Sequence, residues 1–205
     1  EEKSKKSKTR FIDPRLLNMP MMAVKLAKEE VLRMGEITCE MVLRSSQALL
    51  HKNKENVKWV LKHEKDIDEI TRTLEEFLES IPGEKLNPAD QDRLEDLKHL
   101  ITDIERVGDH ANNLAEYADE LADKKISLSK DAKKELKTIS ILVVHNYEAS
   151  LKALKNEHKK MIAKIAKRED AIDKLEKECR QNHISRLKKK VCHPEANTIF
   201  NDTLR

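Results

Sequence analysis

From Leu94 to Ala122 an apolar or small residue recurs every three or four positions: Leu94, Leu97, Ile101, Ile104, Gly108, Ala111, Ala115, Ala118 and Ala122. Only an α-helix gathers residues so spaced onto one face, because its period is 3.6 residues. A helix that begins at Pro88 and keeps this stripe to Ala122 is about 55 Å long at 1.5 Å per residue. It buries such a stripe only against other long helices. The same rhythm runs through Val24, Ala27, Val31, Met34, Thr38, Met41, Ser45 and Ala48. Composition agrees: charged residues make up 39% of the chain, aromatics 3%, and there are three glycines and five prolines in 205 residues. Barrels and sandwiches need far more turn and strand formers, so an all-β fold is excluded. A hydrophobic share of 38% at regular spacing argues against wholesale disorder. The chain reads as all-α.

The charges nearly cancel, with 41 Lys and Arg against 38 Asp and Glu. Interleaved in this way they form solvated helix faces and give none of the basic excess that displaces counterions from nucleic acid. Cys39, Cys179 and Cys192 make an odd count without CxxC spacing, the pattern of reduced thiols in a cytosolic chain. No run of 18 apolar residues and no signal-peptide region is present in these 205 residues.

Local signals divide the chain. Residues 1–19 open with a Lys/Ser stretch and read as a basic linker, and Pro20 suits the first turn of a helix. Helix one is expected to reach about Lys52, where Asn53 breaks the rhythm. Helix two spans 54–81 and stops at Pro82-Gly83. Asn87 caps helix three, with Pro88 at its first position and Asp90 near its positive end. Ser129 caps helix four, about 130–157. Helix five covers 159–188, and His193-Pro194-Glu195 opens a sixth helix that stops at Arg205.

Three helices followed by three invite a search for duplication. A shift of 105 residues places Val31 on Leu136, Met34 on Ile139, Ile37 on Leu142, Val57 on Ile162 and Val60 on Ile165. It also sets Glu64 on Glu169, Ile67 on Ile172 and Asp68 on Asp173. One register holding through two helices and their turn marks a duplicated unit. The expected architecture is two tandem three-helix bundles of long antiparallel helices over 20–125 and 126–205, with the sixth helix truncated.

With this many acids, chance alone supplies roughly seven carboxylate pairs four residues apart, so spacing by itself means little. Position means more. Glu64 falls in the helix-two stripe Val57, Val60, Ile67, Leu74, Leu78, with Asp68 one turn on. Glu169 interrupts Ile162, Ile165 and Ile172 in the same way, with Asp173 beside it. Glu105 and Asp109 repeat the spacing in helix three. An unpaired carboxylate in an apolar seam needs a cation, a proton or donors. Two facing helices would offer four carboxylates, a set suited to hard or borderline multivalent metal ions. The competing reading is an ion-pair network, Glu64 with Arg106 or Arg72 and Glu169 with Arg168 or Arg180. His63 and His110 lie next to these acids and serve either as ligands or, more simply, as surface or capping residues.

Enzyme signatures are missing. Di-iron bundles carry Glu-x-x-His on two helices, and no glutamate here has histidine three positions later. There is no phosphate-binding glycine loop, no Gly-x-Ser-x-Gly and no HxxxH pair.

The segment IERVGDHANNLAE at 104–116 closely resembles the signature of the PhoU family, as do EKDID at 64–68 and its repeat EDAID at 169–173. FIDPRLLNMP at 11–20 is similar to the junction that links the last membrane helix of bacterial sodium/phosphate cotransporter-like proteins to a cytoplasmic PhoU-like domain. The likeness covers about residues 10–205. It implies a PhoU-like regulatory domain in phosphate transport, not an enzyme, at the cytoplasmic face of the cell membrane. It also implies clusters of metal ions, iron or zinc favoured, while four carboxylates also accept Mg or Mn. By position the first site takes Glu64, Asp68, Glu105 and Asp109. The second takes Glu169 and Asp173 and is expected half-built, because the counterpart of Glu105 would fall past residue 205. The missing initiator Met and the basic tail Lys3, Lys5, Lys6, Lys8 and Arg10 favour attachment to a membrane transporter domain of the same chain, with anionic lipid headgroups as a further partner. The alternative is a free-standing adaptor that regulates a phosphate permease and its sensor kinase. A metal-dependent bundle enzyme ranks below both. An incomplete bundle would leave an apolar groove that a second copy can fill.

Overall fold

In the computed structural model, residues 8–189 and 195–204 are described. All their regular structure is helical: α1 (Pro20–His51), α2 (Lys54–Glu79), α3 (Pro88–Asp123), α4 (Lys130–Asn156), α5 (Lys159–Lys188) and α6 (Glu195–Thr203). Short 3-10 turns lie at Pro14–Asn18 and Gly83–Lys85. Among the described residues no helix is long and apolar enough to cross a membrane. Lys3, Lys5, Lys6, Cys192, His193, Pro194 and Arg205 lie outside the described residues.

The helix ends follow the expected chemistry. Asn53 separates α1 from α2 because its Oδ1 accepts the amides of Glu55 (3.0 Å) and Asn56 (3.1 Å), behind Lys52 at φ 55°. Asn87 Oδ1 accepts the Asp90 amide at 2.9 Å, and its Nδ2 donates back to Asp90 Oδ2 at 2.7 Å. That reciprocal pair fixes the start of α3 as a capping box does. Ser129 Oγ accepts the Ala132 amide at 3.2 Å and caps α4. α3 ends with Lys125 at φ 56°, the Ile126 amide bonded to Leu121 O and the Lys125 amide to Ala122 O. This is a Schellman turn closed without glycine. α4 ends in a related way on left-handed Glu157.

The chain divides into two compact units, and α1, α2 and α3 each contribute a stretch to both. The first comprises Glu1–Thr38 and Lys62–Asp109. Its core is branched and long side chains: Val31, Met34, Ile67, Ile70, Leu74, Leu78, Leu97 and Ile101 are all buried. The second comprises Cys39–Leu61 and His110–Arg205. Here α3 buries Ala111, Ala115 and Ala118, small residues that let a neighbouring helix come close. Met41, Val60, Leu121, Leu136 and the α6 residues Ile199 and Phe200 are buried in the same unit. Ile141 on α4 and Ile162 and Ile184 on α5 remain exposed.

Candidate carboxylate site

Asp68 on α2 and Glu105 and Asp109 on α3 converge in the first unit. One carboxylate oxygen from each lies within 4.8 Å of the others. The i,i+4 spacing on α3 sets Glu105 and Asp109 on one face, and the apolar stripe Leu97, Ile101, Ile104 turns the edge of that face toward α2. Glu105 is half-buried and Asp109 exposed. Burial pushes the Glu105 carboxyl up first, and Asp109, Asp68 and Glu75 push it further, against an opposing pull from Arg106. Three acids gathered where one already resists ionising form an oxygen-only donor set that a multivalent cation would complete. Those residues therefore fit a metal ion.

Other members of the sequence-derived set sit differently. Glu64 is half-buried on α2 and is not a member of the cluster. His63 and His110 also stay out of it. On α5, Glu169 and Asp173 are exposed. Glu169 accepts a hydrogen bond from Asn146 Nδ2 of α4 at 3.0 Å, and no third acid joins the pair among the described residues. Periodicity put Glu169 in an apolar seam, and the structure leaves it exposed. α6 is nine residues long and engages the C-terminal half of α5, through Arg180 Nη2 to Leu204 O (2.7 Å) and His183 Nε2 to Asn197 Oδ1 (2.7 Å). The seam around Ile162 is left open. Arg180 instead pairs with Glu176, and Arg168 reaches the His145 carbonyl, so neither of these described bonds goes to Glu169.

Two charge clusters were missed in the sequence. Glu30 is fully buried on α1. Its Oε2 accepts the backbone amides of Arg10 and Phe11, each at 2.8 Å, and its Oε1 takes the Arg33 guanidinium. Val31 keeps the stripe unbroken between Ala27 and Met34, so Glu30 beside it carried no signal of the kind that Glu64 does. In the second unit Arg186 makes a bidentate pair with Glu135, both bonds 2.8 Å, over the Phe200 ring. His183 stacks on that ring with centroids 4.4 Å apart. Cys39 and Cys179 are free buried thiols, and burial above all pushes each up to about 11.

Comparison with known proteins returns one theme. The PhoU domain model matches residues 31–118 and again 136–201, two stretches that begin 105 residues apart. That separation is the register at which the sequence aligns with itself. The chain is 28% identical over 181 residues to the phosphate-specific transport system accessory protein PhoU homolog 1 of Thermotoga maritima, covering 85% of this chain and 75% of that protein. It is 34% identical over 97 residues to the PhoU homolog of Synechocystis sp., 47% of this chain and 43% of that protein. The crystal structure of PhoU from Pseudomonas aeruginosa superposes with a TM-score of 0.83 at 18% identity, over 92% of this chain and 88% of that one, which makes the fold common to both. Two matches to one family's model over well over half of the residues, in the register of an internal duplication, place this chain in the PhoU family.

Proposed function

We propose that this chain is a regulatory accessory domain of phosphate transport that works by protein contact, without catalysis, at the cytoplasmic face of the cell membrane. The observation that carries the reading is the doubled PhoU match on a fold in which Asp68, Glu105 and Asp109 converge. The names of both relatives support the transport setting, since each is an accessory protein of a phosphate-specific transport system. Asp68, Glu105 and Asp109 hold a multivalent cation, iron or zinc by likeness to the family and Mg or Mn by donor chemistry. Such a cation neutralises the cluster and pins α2 to α3. Glu64, one turn before Asp68 on α2, and the pair Glu169 and Asp173 at the same register of the second repeat are further candidate ligands by likeness to the family.

Two attachments are compatible with this role. The likeness of residues 11–20 to a cotransporter junction favours a transporter domain in the same polypeptide. The extent of the match to the Thermotoga maritima protein favours a free-standing adaptor. One experiment addresses role and attachment together. Cells carrying and lacking the segment that encodes this domain are compared for uptake of radiolabelled phosphate after growth in high and low phosphate. Loss of the domain is expected to abolish the difference between the two conditions, and unchanged regulation would refute the role. In the same cells, resistance of the protein to carbonate extraction of membranes assigns it to a membrane-spanning chain, and release assigns it to an adaptor.

A further inference from the structure

Half of the exposed large apolar side chains among the described residues fall within one short stretch: Phe11 (41% exposed), Met19 (57%), Met21 (61%) and Met22 (40%). The stretch is held in place. Glu30 binds the Arg10 and Phe11 amides, Arg33 Nη2 donates to Lys8 O at 3.0 Å, and Lys8 Nζ meets Asp66 of α2 at 2.8 Å. The arm therefore lies along α1, where Met22, Leu26 and Glu30 follow one another at four-residue spacing. Phe11 and the methionines project outward from that base, so their exposure is a fixed surface.

The described residues 8–25 carry four cations, Lys8, Arg10, Arg15 and Lys25, against one acid, Asp13. Lys8 is paired with Asp66 of α2. Asp13 is engaged by Arg15, with bonds of 2.9 and 2.7 Å. Arg15 holds that carboxyl down at about 2. The nearby acids of α1 are Glu30, which is buried in the clasp, and the half-buried Glu29. Arg10 and Lys25 are exposed beside the apolar residues. Flexible methionines and a phenylalanine rimmed by cations match an interface with acyl chains below and anionic headgroups above.

We infer that residues 10–25, clasped to α1 by Glu30, form a docking surface for an anionic lipid bilayer. The inference deepens the membrane-face reading above and rests on it. Neither the apolar nor the basic component alone gives stable attachment, and the two together do.

The test is co-sedimentation of the 205-residue chain with vesicles of phosphatidylcholine alone and of phosphatidylcholine with phosphatidylglycerol. Binding is expected to the anionic vesicles only, and to weaken as salt screens the cations. Replacing Phe11, Met19, Met21 and Met22 together by serine is expected to lower the partition about tenfold or more. These side chains are exposed, so the melting curve should hold. The paired change Ile141→Ser with Ile162→Ser, exposed apolar residues elsewhere, should leave partition unchanged. Equal binding to neutral vesicles, no binding to either kind, or a serine variant that partitions like the parent would each overturn the inference. Binding only when transporter protein is reconstituted in the vesicles would also overturn it and assign the surface to a protein partner. Phosphate uptake separates the two readings. A chain that ignores lipid yet regulates uptake removes this surface and leaves the regulatory role.

Discussion

Glu64-x-x-x-Asp68 and Glu169-x-x-x-Asp173 lie at one register of a duplicated sequence, yet Asp68 joins a cluster of acids while Glu169 accepts a hydrogen bond from Asn146. In the second unit the acids near the helix contacts have donors: Glu135 has Arg186 and Asn182, and Glu169 has Asn146. In the first unit Asp68, Glu105 and Asp109 have one another, and Glu105 resists ionising as a result. Among the described residues, then, repetition of the spacing alone does not repeat the three-acid cluster. A carboxylate pair becomes a candidate cation site when a third acid from a neighbouring helix closes on it. In the first unit Asp68 of α2 closes on the Glu105–Asp109 pair of α3, and among the described residues of the second no third acid joins Glu169 and Asp173.

The largest expected effect tests the donor side of the contrast. The Arg186 and Glu135 side chains are only 10% and 17% exposed. Arg186→Ala strips Glu135 of its bidentate partner and removes the cation from the Phe200 ring. Breaking a pair buried to this degree costs about 3–5 kcal/mol. Urea denaturation should show that loss as a lower midpoint with an unchanged slope. A cost below about 1 kcal/mol would mean that the second unit does not depend on matched donors, and the contrast would fail.

The next effect tests the unmatched acids directly. Mn, Zn or ferrous iron at a hundredfold excess over its dissociation constant stabilises a protein that binds it only when folded by about 2.7 kcal/mol. For a chain of this length that is a rise in melting temperature of roughly 5–10 °C. The rise should vanish in the combined variant Asp68→Asn, Glu105→Gln, Asp109→Asn and survive in Glu169→Gln, Asp173→Asn. A rise that depends equally on both sets would make the two regions equivalent after all. Absence of any rise with all the metals would reduce the first cluster to surface acids.

Why one half of this contrast was readable in sequence and the other was not follows from the range of the forces involved. Helix limits are set by neighbours in sequence, so the Asn53 break, the Pro82-Gly83 stop and the Asn87 and Ser129 caps could all be read locally. Core positions follow the 3.6 period, and Ile67, Leu74, Leu97 and Ile101 are buried as their spacing requires. Partners far apart in sequence leave no such trace. Glu30 reaches Arg10 across 20 residues, and Arg186 reaches Glu135 across 51. The end of α3, one residue past the Ala122 where the stripe stops, is closed by a lysine in the left-handed position where glycine is the usual signal. Glu169 shows the limit of the seam argument itself. An acid in an apolar stripe is buried only where another helix covers the stripe, and coverage belongs to the tertiary structure.

The smallest effect fixes the sign of the first cluster. Burial, then Asp109, Asp68 and Glu75, raise the Glu105 carboxyl above its ordinary 4.5. The folded state thus holds this proton more tightly than the unfolded chain does. Protonated Glu105 is tolerated at low pH, and its ionisation subtracts from stability as pH rises from 4.5 through the folded value. Glu105→Gln removes that liability. In EDTA the variant should match the parent near pH 4 and exceed it at pH 7, by on the order of 0.5 kcal/mol for a charge this open to solvent. Urea denaturation at the two pH values measures the difference. Saturating divalent metal should reverse it at pH 7, because the parent gains a ligand bond that the amide weakens. A variant less stable than the parent in EDTA at pH 7 would mean that Glu105 is stabilised by a donor, like Glu135 and Glu169, and would erase the distinction between the two units.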